Sequence, residues 1–190
     1  MVKTIAGTTL IDKITASLGL RLYETPVGFK YISELMEKTD ILIGGEEAGG
    51  IGFKDYIPER DGSLAGLLLL EMMAYQKKPI LKILNEMEQE FGRYYYLRED
   101  IRLTHFKPQT ASSLSFRIKR LKLRKELLGK RVTQTKDFDG LKLICEDESW
   151  LMFRGSGTEP IVRVYVEAKS LQRAKKLLGL GKDLVLKDAL

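Results

Sequence analysis

Seven consecutive residues, Arg154-Gly155-Ser156-Gly157-Thr158-Glu159-Pro160, combine the groups that a bound phosphate requires. Glycines at 155 and 157 let the backbone turn tightly and approach a ligand with no Cβ in the way. Successive N–H groups in such a turn form a concave anion site. Ser156 and Thr158 add hydroxyl donors, and Arg154 adds a planar fork suited to a dianion. Arg163, nine residues past Arg154, stands just beyond the loop and could close its other side. Gly, Ser and Pro also gather in plain turns between strands, so composition alone leaves a polar connector open. A second group occupies Gly44-Gly45-Glu46-Glu47-Ala48-Gly49-Gly50, after Ile41-Leu42-Ile43, which reads as a buried strand. Its paired glycines permit backbone shapes closed to other residues and leave Glu46 and Glu47 projecting from a compact loop. A carboxylate there is a good acceptor for sugar hydroxyls. A flexible solvated loop is the alternative.

Together the two runs resemble the sugar-recognition and phosphate-binding loops of the α-D-phosphohexomutases, the phosphoglucomutase/phosphomannomutase superfamily. The sugar loop of that family's third domain reads roughly Gly-Glu-Glu-Ser-Gly-Gly, and residues 45–50 match it except at Ala48. The phosphate loop of its fourth domain reads Arg-x-Ser-Gly-Thr-Glu-Pro followed by Arg, and residues 154–160 with Arg163 match throughout. Arg60-Asp61-Gly62 opens a long apolar helix between them, as in the family. Val2-Lys3-Thr4 resembles the strand that carries an active-site lysine, and Val27-Gly28-Phe29-Lys30 resembles a further segment near the sugar. The resemblance runs in order across nearly the whole chain.

By that resemblance the chain is the carboxyl-terminal part of a four-domain enzyme. It is expected to hold an incomplete third domain at 1–97, truncated at its start, and a fourth domain at 98–190. The family moves a phosphoryl group between the 1- and 6-hydroxyls of a hexose through a phosphoserine and a bisphosphosugar. The serine lies in a Thr-Ala-Ser-His-Asn-Pro-like loop, and magnesium in an Asp-Gly-Asp-x-Asp-Arg-like loop. Neither occurs in these 190 residues. Thr15-Ala16-Ser17 and Thr110-Ala111-Ser112 lack the His-Asn-Pro continuation, and Asp137-Phe138-Asp139-Gly140 has too few carboxylates and reads as a turn. The resemblance thus implies phosphate binding by Arg154, Ser156, Gly157, Thr158 and Arg163. It implies sugar contacts at Glu46 and Ala48, with Lys3, Lys30 and Arg60 nearby. No catalytic nucleophile, magnesium site or turnover is expected from the chain alone, and the partner is an amino-terminal half if the enzyme is split. Alanine at 48 deletes one hydroxyl contact, worth about 0.5–1.5 kcal/mol. The alternatives are a non-catalytic sugar-phosphate-binding module and a basic nucleic-acid interaction protein.

At 44% hydrophobic and 31% charged residues the composition is that of an ordinary globular chain. Cys145 is the only cysteine, which excludes an intrachain disulfide and suits a reducing cytoplasm. With one His (His105) and one Cys, a His/Cys metal site is not supported. The amino terminus shows no signal pattern, and the leucine run 67–70 is too short to span a membrane. The net charge is +6, and residues 117–131 hold eight cations against Glu126 alone. Leu114, Ile118, Leu121 and Leu128 fall on one helical stripe there, leaving the cations solvated. No aromatics interleave to stack on bases.

Strand and helix signals alternate through the first part: strands at 1–6, 20–23, 41–43 and 51–53, and helices at 10–18, 28–37, 62–76 and from Pro79 to Phe91. The apolar run of the 62–76 helix is expected to pack inward. This pattern predicts an α/β domain with a parallel or mixed sheet, its ligand beyond the carboxyl ends of the strands. The missing start predicts an uncovered apolar face and self-association. Residues 94–106 read as extended chain leading to an α+β domain. That domain is expected to have a helix at 110–128, antiparallel strands at 132–135, 141–145, 150–154 and 161–167, and a helix at 170–179.

Overall fold

Short apolar strands separated by helices bury a sheet from both sides, and the first half of the chain is built so. The computed structural model describes residues 1–103, 124–156, 159 and 161–187. The chain divides into two units, Met1–Arg93 and Tyr94–Leu190.

The first unit runs β1 (Val2–Thr4), α1 (Thr9–Ser17), β2 (Tyr23–Thr25), α2 (Phe29–Lys38), β3 (Ile43–Gly45), β4 (Ile51–Phe53), α3 (Gly62–Gln76) and α4 (Ile80–Phe91). Its sheet has the order β2-β1-β3-β4. β1 is parallel to both neighbours and β4 is an antiparallel edge. The Thr8 hydroxyl accepts from Leu10 N–H to start α1, and Gly19, at φ +64°, ends it. Leu20 then donates to the Thr15 carbonyl, so β2 starts at Tyr23, opposite Val2, rather than at Leu20. β3 likewise begins later than expected and takes the first glycine pair into the sheet. The reason is packing: a Cβ at Gly44 would lie 2.5 Å from Ile32 Cγ2, and one at Gly52 2.9 Å from Phe29 Cζ. Gly44 and Gly52 face each other across β3 and β4 and let α2 settle onto the strands. The cluster beneath is Val2, Phe29, Ile32 and Ile41.

α3 departs from expectation. Asp61 caps it by accepting from Leu64 N–H, but none of its residues is buried. Leu67 is 65% exposed and Leu70 61% exposed. With Leu81 and Leu84 of α4 also exposed, an apolar surface lies open over the two helices. A helix apolar all round requires cover on more than one side, and within this unit α3 has its contact with β4.

The second unit contains β5 (Tyr95–Arg102), β6 (Glu126–Leu127), β7 (Lys130–Lys136), β8 (Leu141–Cys145), β9 (Trp150–Gly155), β10 (Ile161–Ala168) and α5 (Leu171–Lys187). The sheet order is β5-β10-β9-β8-β7-β6, and every neighbouring pair is antiparallel. One face, with Leu151, Phe153, Val162, Val164 and Val166, packs on Ala174 and Leu177 of α5; Cys145 belongs to this core. α5 runs past the expected end at 179, and Gly181 within it serves packing. A Cβ at Gly181 would come within 2.6 Å of Val164 Cγ1 and 2.9 Å of Leu151 Cδ1. Residues 126–128 are not helical. Glu126–Leu127 forms a strand, and Leu128-Gly129, with φ of +49° and +76°, makes the hairpin turn into β7. Residues 110–123 of the expected helix, four of the eight cations of the basic stretch, His105, Gly157 and Thr158 lie outside the described residues. No helix among the described residues is long and apolar enough to cross a membrane.

Candidate functional site

In the first sheet α1 carries the chain from β1 to β2, whereas β3 turns directly to β4 on the other side. In open α/β sheets such divergence marks the place, beyond the carboxyl ends of the strands, where ligands bind. Lys3 is in register with Gly45, so Glu46 emerges beside the end of β1. Strand alternation points Val2 at α2 and Lys3 at the opposite face, where α1 lies. There the Lys3 ammonium donates to the Thr8 carbonyl at 3.0 Å and forms a close ion pair with Asp12. Its side chain is 3% exposed.

The glutamate loop is closed by Glu46 N–H donating to Gly50 O and Gly49 N–H donating to Glu46 O. Glu46 does not project as expected: its side chain is 10% exposed, with Arg60 Nη1 at 3.6 Å and the Gly28 N–H donating to it. Burial, and then the neighbouring Glu47, raise its pKa; Arg60 and Gly28 oppose this without cancelling it. The Arg60 guanidinium lies 5.9 Å over the Phe29 ring. A side chain at Gly50 would press on Glu46 Oε2 at 3.0 Å and Arg60 Cδ at 3.2 Å, so glycine there preserves the pair. The Thr4 hydroxyl donates to Glu47 Oε2 at 2.8 Å, which ties the loop to the end of β1. Ala48 is exposed at the loop tip. Lys30 is not drawn into this group; it is exposed in the first turn of α2, its Nζ 4.8 Å over the Tyr31 ring. The site thus joins Glu46 to Arg60, turns the Lys3 ammonium onto Asp12, and leaves Lys30 to one side.

In the second sheet Arg154 and Arg163 are cross-strand partners, and Arg163 in turn faces Asp100 on β5. The three therefore form one row on one face. Arg154 Nε donates to both Asp139 oxygens, at 3.1 and 3.0 Å. Arg163 Nε lies 3.6 Å from Asp100 Oδ2, and Arg98 grips Asp100 through Nε and Nη2 at 2.8 Å each. Arg98, and secondarily Arg163, hold the Asp100 carboxyl below the usual carboxylate range. Ser156 closes the loop base: its N–H donates to Ile161 O at 2.9 Å, and its hydroxyl accepts from Glu159 N–H at 3.3 Å. Behind the row the same face carries Tyr165 and Trp150. Trp150 Nε1 donates to buried Glu167 at 3.0 Å, so both rings pack into the sheet. Burial raises the Cys145 thiol pKa, as for an inert core cysteine.

Sequence reading missed the partners rather than the principals. Asp12 acquires meaning once α1 is seen to fold back over β1. Thr4 and Glu47 meet across 43 residues, and Asp139 and Asp100 matter through strand register that local patterns do not carry.

Two domain families match this chain in the order of its units. "Phosphoglucomutase/phosphomannomutase, alpha/beta/alpha domain III" matches residues 1–91, and "Phosphoglucomutase/phosphomannomutase, C-terminal domain" matches residues 118–179. The chain belongs to the phosphoglucomutase/phosphomannomutase family, represented here by domains III and IV. It is 30% identical over its full length to a phosphoglucomutase/phosphomannomutase of Thermococcus kodakarensis, spanning 38% of that protein. It is 35% identical, again over its full length, to a phosphoglucosamine mutase of Methanocaldococcus jannaschii, spanning 39% of it. The solved structure of the phosphoglucomutase parafusin from Paramecium covers 97% of this chain at a TM-score of 0.74 and 25% identity, with 37% of that chain matched. This chain therefore spans about two fifths of the relatives' length.

Proposed function

We propose that this chain is the substrate-holding part of a phosphohexomutase that interconverts hexose 1-phosphates and 6-phosphates. In this reading Arg154, Ser156, Gly157, Thr158 and Arg163 hold the phosphate that is not reacting, and Glu46 accepts hydrogen bonds from sugar hydroxyls. Anchoring the distant phosphate aligns the reacting end of the sugar. Lys3, paired with Asp12, stands on the strand next to the Glu46 loop, and Arg60 keeps Glu46 in place. Exposed Ala48 leaves the family serine's contact to water.

The observation that carries the reading is the Arg154–Arg163 pair, two guanidiniums on adjacent strands at the base of a Gly-Ser-Gly-Thr loop. Like charges placed opposite each other cost stability, and an anion between them is what such a pair serves. Calorimetry with glucose 1-phosphate tests it. Heat is expected from the wild type and not from Arg154→Ala; a wild type without heat sinks the reading.

The phosphoserine and magnesium loops of the family are not among these 190 residues. Among the described residues no three His, Cys, Asp or Glu side chains converge as a metal set. In this reading the metal and phosphoryl donor belong to the amino-terminal half of a mutase. That half also supplies the cover that α3 and α4 lack. A coupled mutase assay on mixing the two halves, in the reducing conditions of a cytoplasm, is expected to show activity that neither half shows alone. Self-association of the chain in sedimentation, undiminished by the added half, would count against that assignment.

A further inference from the structure

The Asp139-Gly140 turn reads in the sequence as a plain connector, yet it is laid directly against the phosphate-binding strand. Gly140 takes φ +87°, and a Cβ there would collide with the Phe153 carbonyl oxygen and lie 3.2 Å from Arg154 Cα. The close approach fixes the turn beside Arg154 and delivers the Asp139 carboxylate to its guanidinium. Across the sheet Asp100 faces Arg163 more loosely, its Oδ2 3.6 Å from Arg163 Nε, beyond hydrogen-bond reach. The Arg154 contact runs through Nε. A guanidinium engaged at Nε still offers the edge formed by its two Nη groups, the edge that meets a phosphate bidentately.

The row Asp139, Arg154, Arg163, Asp100 thus sets two guanidiniums side by side between two carboxylates, with Arg98 behind Asp100. Three positive and two negative side chains leave one net positive charge. The carboxylates relieve the repulsion between neighbouring arginines. Asp139 also fixes a long side chain that otherwise samples many rotamers, and a planar fork fixed beforehand loses less on binding.

We propose that Asp139 is a positioning residue that holds Arg154 by Nε and presents its outer edge to a phosphate, while Asp100 balances the charge of the neighbouring Arg163. This rests on the phosphate-binding reading of the 154–160 loop. The opposite possibility is physically distinct: carboxylates that merely compete with the ligand for the arginines would weaken binding, and their removal would tighten it.

The test uses the 190-residue chain, glucose 1-phosphate as the titrant, and the Arg Nε–H signals in a ¹⁵N spectrum as a second readout. Asp139→Asn and Asp139→Ala are expected to weaken binding about fivefold or more and to remove the slow exchange of the Arg154 Nε–H. Asp139→Glu is expected to recover part of both. In an Arg154→Lys background, which has no Nε–H, Asp139→Asn is expected to add no further loss. Gly140→Ala is expected to reproduce the effect with the carboxylate still present. Unchanged or tighter binding in Asp139→Asn, with binding still lost in Arg154→Ala, overturns the positioning role and leaves the phosphate reading standing. A wild type that does not bind glucose 1-phosphate removes both.

Discussion

The two units hold their charged side chains in opposite ways. In the first, Glu46 is drawn inward, nearly buried, and its pKa rises. In the second, each arginine of the row keeps a carboxylate at its Nε, and the Asp100 pKa falls. The scaffolds differ in step. Strands of three residues carry the glutamate loop, whereas strands of six and eight residues backed by α5 carry the arginines. Leu67, Leu69 and Leu70 of α3 lie open, while Leu151, Phe153 and Val164 are fully buried. The lesson is that an arginine row needs a rigid platform, because its members repel one another. A buried carboxylate needs only a tight loop and a few donors.

The largest effect that would probe this contrast is in the second core. Phe153→Ala removes a fully buried ring and is expected to cost about 3–5 kcal/mol by urea unfolding. Leu70→Ala, on the exposed face of α3, is expected to stay within about 0.5 kcal/mol. A large loss there would mean that the face is covered in solution. Gly44→Ala drives a methyl into Ile32 and Val2 and is expected to cost about 1–3 kcal/mol. Gly66→Ala in α3 meets nothing within 4 Å and is expected to gain about 0.5–1 kcal/mol from helix propensity. These two glycines, one serving packing and one standing in open helix, should separate clearly.

The smallest effect is in the pH dependence, and it has opposite signs in the two units. Glu46 binds its proton more tightly when folded. Its contribution favours the fold at low pH and is lost as pH rises from the ordinary 4.5 through the raised folded value. Asp100 binds its proton less tightly when folded. Its contribution is full above the ordinary 3.8 and is lost as pH falls through the lowered folded value. Unfolding curves across this range should flatten in opposite senses in Glu46→Gln and Asp100→Asn. Equal slopes in wild type and both variants would break the comparison.

Much of the architecture was legible because both units obey simple periodicities. Alternating strands and helices announced the mixed sheet, and closely spaced strands announced the antiparallel one. The residues of the two loops stood out by type. What escaped was set by distance along the chain and by packing. Gly44 looks like a loop former and is a contact point for α2, as is Gly52 in its strand, and Gly181, past the expected helix end, is a contact point of α5 on the sheet. Leu128 fits a helical stripe until a positive φ places it in a hairpin turn. Asp139 and Asp100 carry no local signal, since strand register alone brings them to the arginines.

The chain's one tryptophan, Trp150, is fully buried in the second unit, with the Lys142 ammonium 3.8 Å over its ring and Glu167 on its indole N–H. Emission excited at the red edge of the aromatic band therefore reports on one unit alone, and the other is optically silent at that wavelength. An unfolding curve followed by this emission and one followed by far-ultraviolet dichroism need not coincide. A gap between the two midpoints would measure how independently the halves of the chain melt.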